Sequence, residues 1–152
     1  MKKILFSVNE YTAAYIIGAV VYTLIEVFWR GFSHWTMFFT GGFCFALIYH
    51  SNIVLKKTRL AVKCLVGTVF ITLTEFFVGC AVNLVLEWSV WDYSGMPLNV
   101  LGQICLIYCV LWFILCIPAY ILSSHIQRHF IRLKSIILRT TESPDKAMEK
   151  AV

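Results

Sequence analysis

Two acidic residues lie inside apolar stretches of this 152-residue chain, where ionisable groups are rare and are by default candidates for function. Glu75 lies near the middle of the run 64–86, and Glu26 lies near the end of the run 11–28. An ionised acid in hydrocarbon costs about 2.5–3.5 kcal/mol, so each must face protein or water. Glu75 is therefore a candidate proton-, cation- or substrate-binding group. The alternative is an interhelical hydrogen bond made by a protonated acid.

Further polar residues lie at helical spacing around the two acids. Thr72 and Asn83, three residues before and eight residues after Glu75, would share its helix face. Arg30 follows Glu26 by four residues, so an ion pair near the membrane interface is the simpler interpretation of these two. The candidate intramembrane polar site comprises Glu26, Arg30, Thr72, Glu75 and Asn83. We expect no catalytic residue, no metal ligand and no cofactor.

A second group of polar and aromatic residues follows the third apolar run, in the segment EWSVWDYSGMPLN (87–99). Its aromatic residues and proline are typical of a belt at the membrane interface. We favour an ordered cap over the end of the bundle, because exposed tryptophan and tyrosine seek an apolar environment and Asp92 needs donors. The nearest donors are the amides of residues 93–95 and Arg30. The candidate residues of this motif are His34, Trp91, Asp92, Tyr93, Ser94, Asn99 and Gln103.

The composition identifies the elements that must position these residues. Hydrophobic residues make up 60 % of the chain and charged residues only 14 %, whereas soluble domains carry about 25 % charged residues. This excludes a soluble domain, a disordered chain and a nucleic-acid binder with a basic face. A membrane-spanning helix needs roughly 20 apolar residues. The sequence predicts an all-α integral membrane protein with four transmembrane helices, at about 11–30, 35–55, 62–86 and 100–122.

The basic residues predict the orientation in the membrane. Twelve of the 13 lysines and arginines lie at the N-terminus, around the loop between helices two and three, or after helix four. Four crossings place these three regions on one side, and only Arg30 lies on the other. The positive-inside rule therefore predicts a multi-pass protein of the cell membrane with both termini cytoplasmic. The same rule explains the net charge of +5 without a nucleic-acid partner.

The chain divides into three predicted regions. Residues 1–124 form the transmembrane domain. Residues 125–139 form an interfacial basic helix on the cytoplasmic face, because Ile126, Phe130, Leu133 and Ile137 recur at amphipathic spacing among basic residues. Residues 140–152 form a disordered tail.

The two halves of the transmembrane domain resemble each other. Residues 20–28 (VVYTLIEVF) and 69–77 (VFITLTEFF) share a Thr-x-x-Glu motif that ends at Glu26 and Glu75. We predict a parallel 2+2 repeat, in which helices one and two correspond to helices three and four across an axis along the membrane normal. Such a repeat would place the two acids at equivalent depths.

The sequence contains no P-loop, nucleophile elbow or zinc-protease motif. We therefore do not expect an enzyme, and an ATPase that drives this protein would be a separate polypeptide. The expected partners are the lipid bilayer and, to complete a pathway, a second copy of the chain or another membrane subunit.

Two segments carry a family resemblance, WDYSGMPLNVLGQIC (91–105) and EVFWRGFSHWTMFFTGGFCF (26–45). They resemble the CmpB-like ABC-transporter type IV membrane family over about residues 23–112. The resemblance implies a small bacterial membrane protein that acts as a transporter permease or permease subunit, and the intramembrane acids are the groups through which it would act. The alternatives are a non-transporting accessory or assembly protein and, ranked last, a membrane enzyme using Glu26, His34 and Asp92.

Overall fold

Four long helices dominate the computed structural model of the chain, which describes residues 2–149 and the side chains of residues 9–137. The helices are α1 (Lys2–Arg30), α2 (Trp35–Val54), α3 (Leu60–Gly79) and α4 (Leu106–Glu149). Three of them contain a segment long and apolar enough to cross a membrane: Asn9–Arg30, Trp35–Val54 and Leu106–Ile137. The remaining such segment, Leu60–Val85, consists of α3 and the helical turn that follows it. The predicted all-α membrane fold with four spanning helices is confirmed. The 2+2 repeat and the cytoplasmic placement of the basic helix stay predictions.

Helices α1 and α2 form the most extensive helix pair, and α3 packs mainly on α4. Small residues let the first pair approach closely, as is common between transmembrane helices. A Cβ atom added at Gly18 would lie 2.2 Å from the Cβ atom of Phe45, and one added at Gly41 would lie 2.4 Å from the Cβ atom of Tyr22. In contrast, α1 and α4 touch sparsely. The bundle is therefore two helix hairpins packed through α2 and α3, with a weakly closed side between α1 and α4.

Residues 80–105 differ in part from the prediction, which placed a loop at 87–99 between helices that end at 86 and begin at 100. A π-helical turn, Cys80–Val85, continues α3, and strand β1 (Asn99–Val100) then pairs antiparallel with β2 (Ile104–Cys105). Consequently α4 begins at Leu106, whereas the sequence predicted a helix from residue 100. The cause is the turn between the strands, where Leu101 and Gly102 have φ angles of 52° and 68°. Residues with such φ angles cannot continue a right-handed helix.

Helix α4 also extends further than predicted. The sequence suggested an end near residue 122, a separate helix over 125–139 and a disordered tail from residue 140. In the structure one helix runs to Glu149, and residues 150–152 of the predicted tail lie outside the described residues. No glycine occurs between Leu106 and Glu149, so the residue that most often ends a helix is missing there, and the helix continues past Pro118 and Pro144.

Polar contacts join three helices at the end of the bundle that carries the α2–α3 turn (residues 55–59), which we call the basic end. The Ser51 Oγ and Tyr120 Oη atoms lie 2.7 Å apart. The Asn52 amide donates to Ser123 Oγ over 3.1 Å and accepts from Lys63 Nζ over 2.8 Å. Ser51 and Asn52 are buried, so these hydrogen bonds satisfy polar groups that water does not reach. The same bonds join α2 to α3 and α4 at the basic end.

Candidate functional site

A cavity of about 290 Å³ lies at the opposite end of the bundle, which carries the α1–α2 turn and the hairpin segment (residues 87–105). Both intramembrane acids line it. A smaller cavity of about 140 Å³ adjoins it and shares Glu75 and Trp112 with it. The larger cavity is lined by Tyr22, Ile25, Glu26, Trp29, Arg30, Met37, Glu75, Trp91, Tyr93, Tyr108, Leu111, Trp112, Ile114, Leu115 and Pro118. Its wall is thus mostly aromatic and aliphatic, with two carboxylates and one guanidinium.

Glu75 brings a carboxylate into this cavity from α3. Its side chain is 4 % exposed, and Trp112 Nε1 on α4 donates to Glu75 Oε2 over 2.7 Å. Among the side chains of residues 9–137, no lysine, arginine or histidine pairs with Glu75. An indole N–H is a donor only, so this bond orients the carboxyl group but does not neutralise it.

Glu26 lies in a different electrostatic environment, although it lines the same cavity. Arg30 Nη1 donates to Glu26 Oε1 over 2.8 Å, and Ser33 Oγ donates to Glu26 Oε2. Arg30 Nη2 also donates to the carbonyl oxygen of Val90 over 2.6 Å. The guanidinium therefore compensates the charge of Glu26 and ties the end of α1 to the hairpin segment.

The hairpin segment packs against the bundle through a network centred on Gln103. Asn83 Nδ2 donates to Gln103 Oε1 over 2.8 Å, and Trp91 Nε1 donates to the carbonyl oxygen of Gln103 over 3.0 Å. Asn83 Oδ1 accepts from the backbone N–H of Val90 over 2.7 Å. Val90, Trp91 and Gln103 are buried. The segment is thus an ordered cover of the bundle end, held by hydrogen bonds and buried apolar side chains.

A glycine on α3 makes this packing possible. A Cβ atom added at Gly79 would lie 2.6 Å from Gln103 Oε1 and 2.9 Å from the Trp91 ring. Only a residue without a side chain leaves room for both contacts.

The structure brings some predicted site residues together and separates others. Glu26, Arg30 and Glu75 line the cavity, as do Trp91 and Tyr93 of the second motif. Thr72 and Asn83 do not line it. Thr72 Oγ1 lies 3.6 Å from Cys109 Sγ on α4, and Asn83 belongs to the network around Gln103. Residues three apart on a helix differ by about 60° in direction, so Thr72 and Glu75 contact different residues of α4.

Asp92, Ser94 and Asn99 hold the local turn and do not line the cavity. The exposed Asp92 carboxylate accepts from Ser94 N over 2.8 Å and from Ser94 Oγ over 2.9 Å. Asn99 Nδ2 donates to the carbonyl oxygen of Met96 over 2.8 Å, and Asn99 Oδ1 accepts from Gly102 N over 3.1 Å. Arg30, one of the expected donors to Asp92, instead donates to the carbonyl of Val90.

His34 lies outside the cavity, at the start of α2. Its Nδ1 atom accepts from Thr36 N over 3.4 Å, so the imidazole is the N-terminal cap of the helix. Its ring centroid lies 5.7 Å from that of Trp88, and Trp88 lies 5.7 Å from Trp35. Both tryptophans are exposed, as expected for aromatic residues at a membrane interface.

Tyr93 links the hairpin segment to α4. Its ring stacks on Tyr108 with centroids 4.3 Å apart. Burial, followed by the nearby Glu75 carboxylate, raises the pKa of Tyr93, so its hydroxyl stays protonated at neutral pH. The cavity wall is therefore uncharged at this position.

Sequence reasoning missed three side chains that define the site. Tyr22 lines the cavity and lies four residues before Glu26. Residues at this spacing share a helix face, so the sequence could have identified Tyr22 as a neighbour of Glu26. Trp112 and Ser33 contact the two acids directly. Trp112 is 37 residues from Glu75, so no local pattern connects them.

Comparison with known families yields one match for the chain. The model of the CmpB family, described as "Putative ABC-transporter type IV", matches residues 10–142. The chain belongs to this family. The match includes both acids, Arg30 and the whole hairpin segment, so the cavity lies within the CmpB-family region. The resemblance noted from the sequence is confirmed. No curated protein and no solved structure matches the chain.

Replacing Gln103 with leucine is expected to destabilise the hairpin segment of this CmpB-family protein. The change leaves the Asn83 amide and the Leu101 carbonyl without their partner, at a cost of about 1–3 kcal/mol. Thermal unfolding in detergent and limited proteolysis of the segment measure the effect. Asp92→Ala is the matched control. Among the described residues the exposed Asp92 carboxylate accepts hydrogen bonds from Ser94, so we expect a loss of less than about 0.5 kcal/mol. Equal melting of Gln103→Leu and Asp92→Ala would contradict this assignment.

Proposed function

We propose that the protein is a membrane permease or permease subunit that binds its solute in the 290 Å³ cavity through Glu26 and Glu75. The observation that carries this proposal is the convergence of two intramembrane carboxyl groups, from α1 and α3, on one cavity. Acids are retained in a membrane despite their cost mainly where they line a substrate or ion pathway. The description of the family as an ABC transporter supports the same function.

The contacts at both ends of the bundle are consistent with a closed state of such a permease. At one end, Arg30 joins α1 to the hairpin segment. At the basic end, Ser51 bonds to Tyr120 and Asn52 bonds to Ser123. Passage of a solute would require one of these two sets to open while the other stays closed. Each is a small group of hydrogen bonds, which suits a two-state rearrangement.

The orientation and the partners complete the proposal. We place both termini in the cytoplasm, which puts Glu26 and the hairpin segment toward the outer face. Four helices form a thin wall around a pathway, so a second copy or another membrane subunit would complete it. A separate ATPase subunit is a further proposed partner if ATP drives transport.

Deletion and complementation in the native cell test the proposed function. Cells that lack the gene, cells that carry it again and cells with an empty vector are compared by the ratio of internal to external concentration across a broad set of solutes. A permease is expected to change this ratio for at least one solute, and the restored gene is expected to return it to normal. If no ratio changes and a membrane complex falls apart in the deletion strain, the protein is an accessory or assembly factor and the proposal is wrong.

A further inference from the structure

We infer that the cavity binds an organic ammonium group, carried by an amphipathic molecule that enters from the bilayer between α1 and α4. The inference deepens the proposed function, on which it rests, by naming the chemical class of the ligand. Three observations support the inference: the aromatic lining of the cavity, the different partners of Glu26 and Glu75, and the exposed lining residues on α1 and α4.

Aromatic rings form much of the wall around Glu75. Tyr22, Trp29, Tyr108 and Trp112 line the cavity together with the carboxylate. The rings of Tyr22 and Trp112 lie 6.1 Å apart, and those of Tyr108 and Trp112 lie 6.5 Å apart. Aromatic faces attract cations, and several rings around one site are the usual means of recognising alkylated ammonium groups.

The charges in the cavity favour a single positive charge on the ligand. Arg30 forms an ion pair with Glu26, and Ser33 occupies the second oxygen of that carboxylate. Glu75 receives only the neutral donor Trp112 among the described side chains. Glu75 is therefore the acid of this buried, aromatic site that lacks a counter-charge among the described side chains. A bound monocation would supply that charge, and an anion would not.

The lining of the cavity includes exposed residues of two helices. Trp29, Leu111 and Ile114 line the cavity and are 65 %, 37 % and 56 % exposed. They lie on α1 and α4, the helices that touch sparsely, within segments able to span a membrane. Because hydrocarbon surrounds such segments, a ligand that enters here must be soluble in the bilayer. An ammonium group on an apolar body meets this condition.

Two sources supply this chemistry, the headgroup of an amine-bearing phospholipid and a free organic cation. Binding of radiolabelled benzyltrimethylammonium to the full-length protein in dodecyl maltoside, an uncharged detergent, tests the inference. We expect saturable binding to the wild type and at least about tenfold weaker binding to Glu75→Gln, because the carboxylate attraction is lost. Neopentylbenzene, the uncharged isostere, is expected not to compete. Competition by phosphatidylethanolamine but not by phosphatidylglycerol would identify the headgroup as the source; no competition by either would identify a free cation.

Leu115→Trp provides a second variant in case Glu75→Gln fails to fold. It keeps the carboxylate and fills the space that Leu115 lines, so weaker binding of the probe is again expected. Glu87→Gln, which removes an exposed carboxylate outside the cavity, is expected to bind like the wild type. Absence of binding to the wild type, equal binding to Glu75→Gln and Leu115→Trp, or equal competition by neopentylbenzene would each overturn the inference. Binding is measured at equilibrium, so failure here leaves the solute-distribution experiment as an independent test of the proposed function.

Discussion

Glu75→Gln is expected to abolish complementation of the deletion strain while the protein remains in the membrane at its normal level. Glutamine has the size of glutamate, and its Oε1 atom can still accept the hydrogen bond from Trp112 Nε1. The substitution therefore keeps the packing of α3 on α4 and removes the charge. The solute ratio that distinguishes deleted from complemented cells is expected to stay at the deleted value, with membrane abundance measured in the same cells.

Two further variants make this result specific. Glu75→Asp retains the charge with a shorter reach, so partial complementation is expected. Glu87→Gln removes an exposed carboxylate in the hairpin segment, and full complementation is expected. If Glu75→Gln complements fully, the carboxyl group serves packing alone, and the proposed role of the acid in transport is wrong.

Arg30→Met is expected to lower the free energy of unfolding by about 3 kcal/mol. This value is the low end of the range for breaking a buried ion pair, and it applies here because the Arg30 side chain is 26 % exposed. The variant leaves the Glu26 carboxylate, 6 % exposed, without its counter-charge, and the carbonyl oxygen of Val90 without its donor. For a chain of this size the loss corresponds to roughly 6–12 °C in the midpoint of thermal unfolding. Thermal unfolding in dodecyl maltoside, followed by tryptophan fluorescence, measures it.

The double variant Glu26→Gln/Arg30→Met distinguishes the effect of an unpaired charge on stability from the effect of a change in side-chain size. It removes both charges, so most of the lost stability is expected to return, and the two single effects will not add. Arg30→Lys keeps the charge but loses the paired donors that reach Glu26 and Val90 together, so an intermediate midpoint is expected. If Arg30→Met melts like the wild type, the ion pair does not hold the hairpin segment to α1.

Sequence patterns were informative wherever the relevant physics is local. Four runs of about 20 apolar residues predicted the spanning helices, because the thickness of hydrocarbon sets a length for each run separately. The cost of an exposed acid predicted that Glu75 faces the interior, since that penalty belongs to one residue. The contact between Glu26 and Arg30 followed from a spacing of four on one helix.

The tertiary structure decided which residues distant in the chain meet and how each helix is rotated about its axis. The segment 100–105 was predicted as the start of a helix, yet it belongs to a hairpin of two antiparallel strands. Gln103 holds this hairpin on the bundle through bonds to Asn83 and Trp91, 20 and 12 residues away in the chain. Trp112 meets Glu75 across 37 residues. The convergence of both acids on one cavity depends on how far each helix is rotated about its axis. Close contacts between helices, such as Gly41 against Tyr22, set that rotation, and they exist only when all four helices are packed.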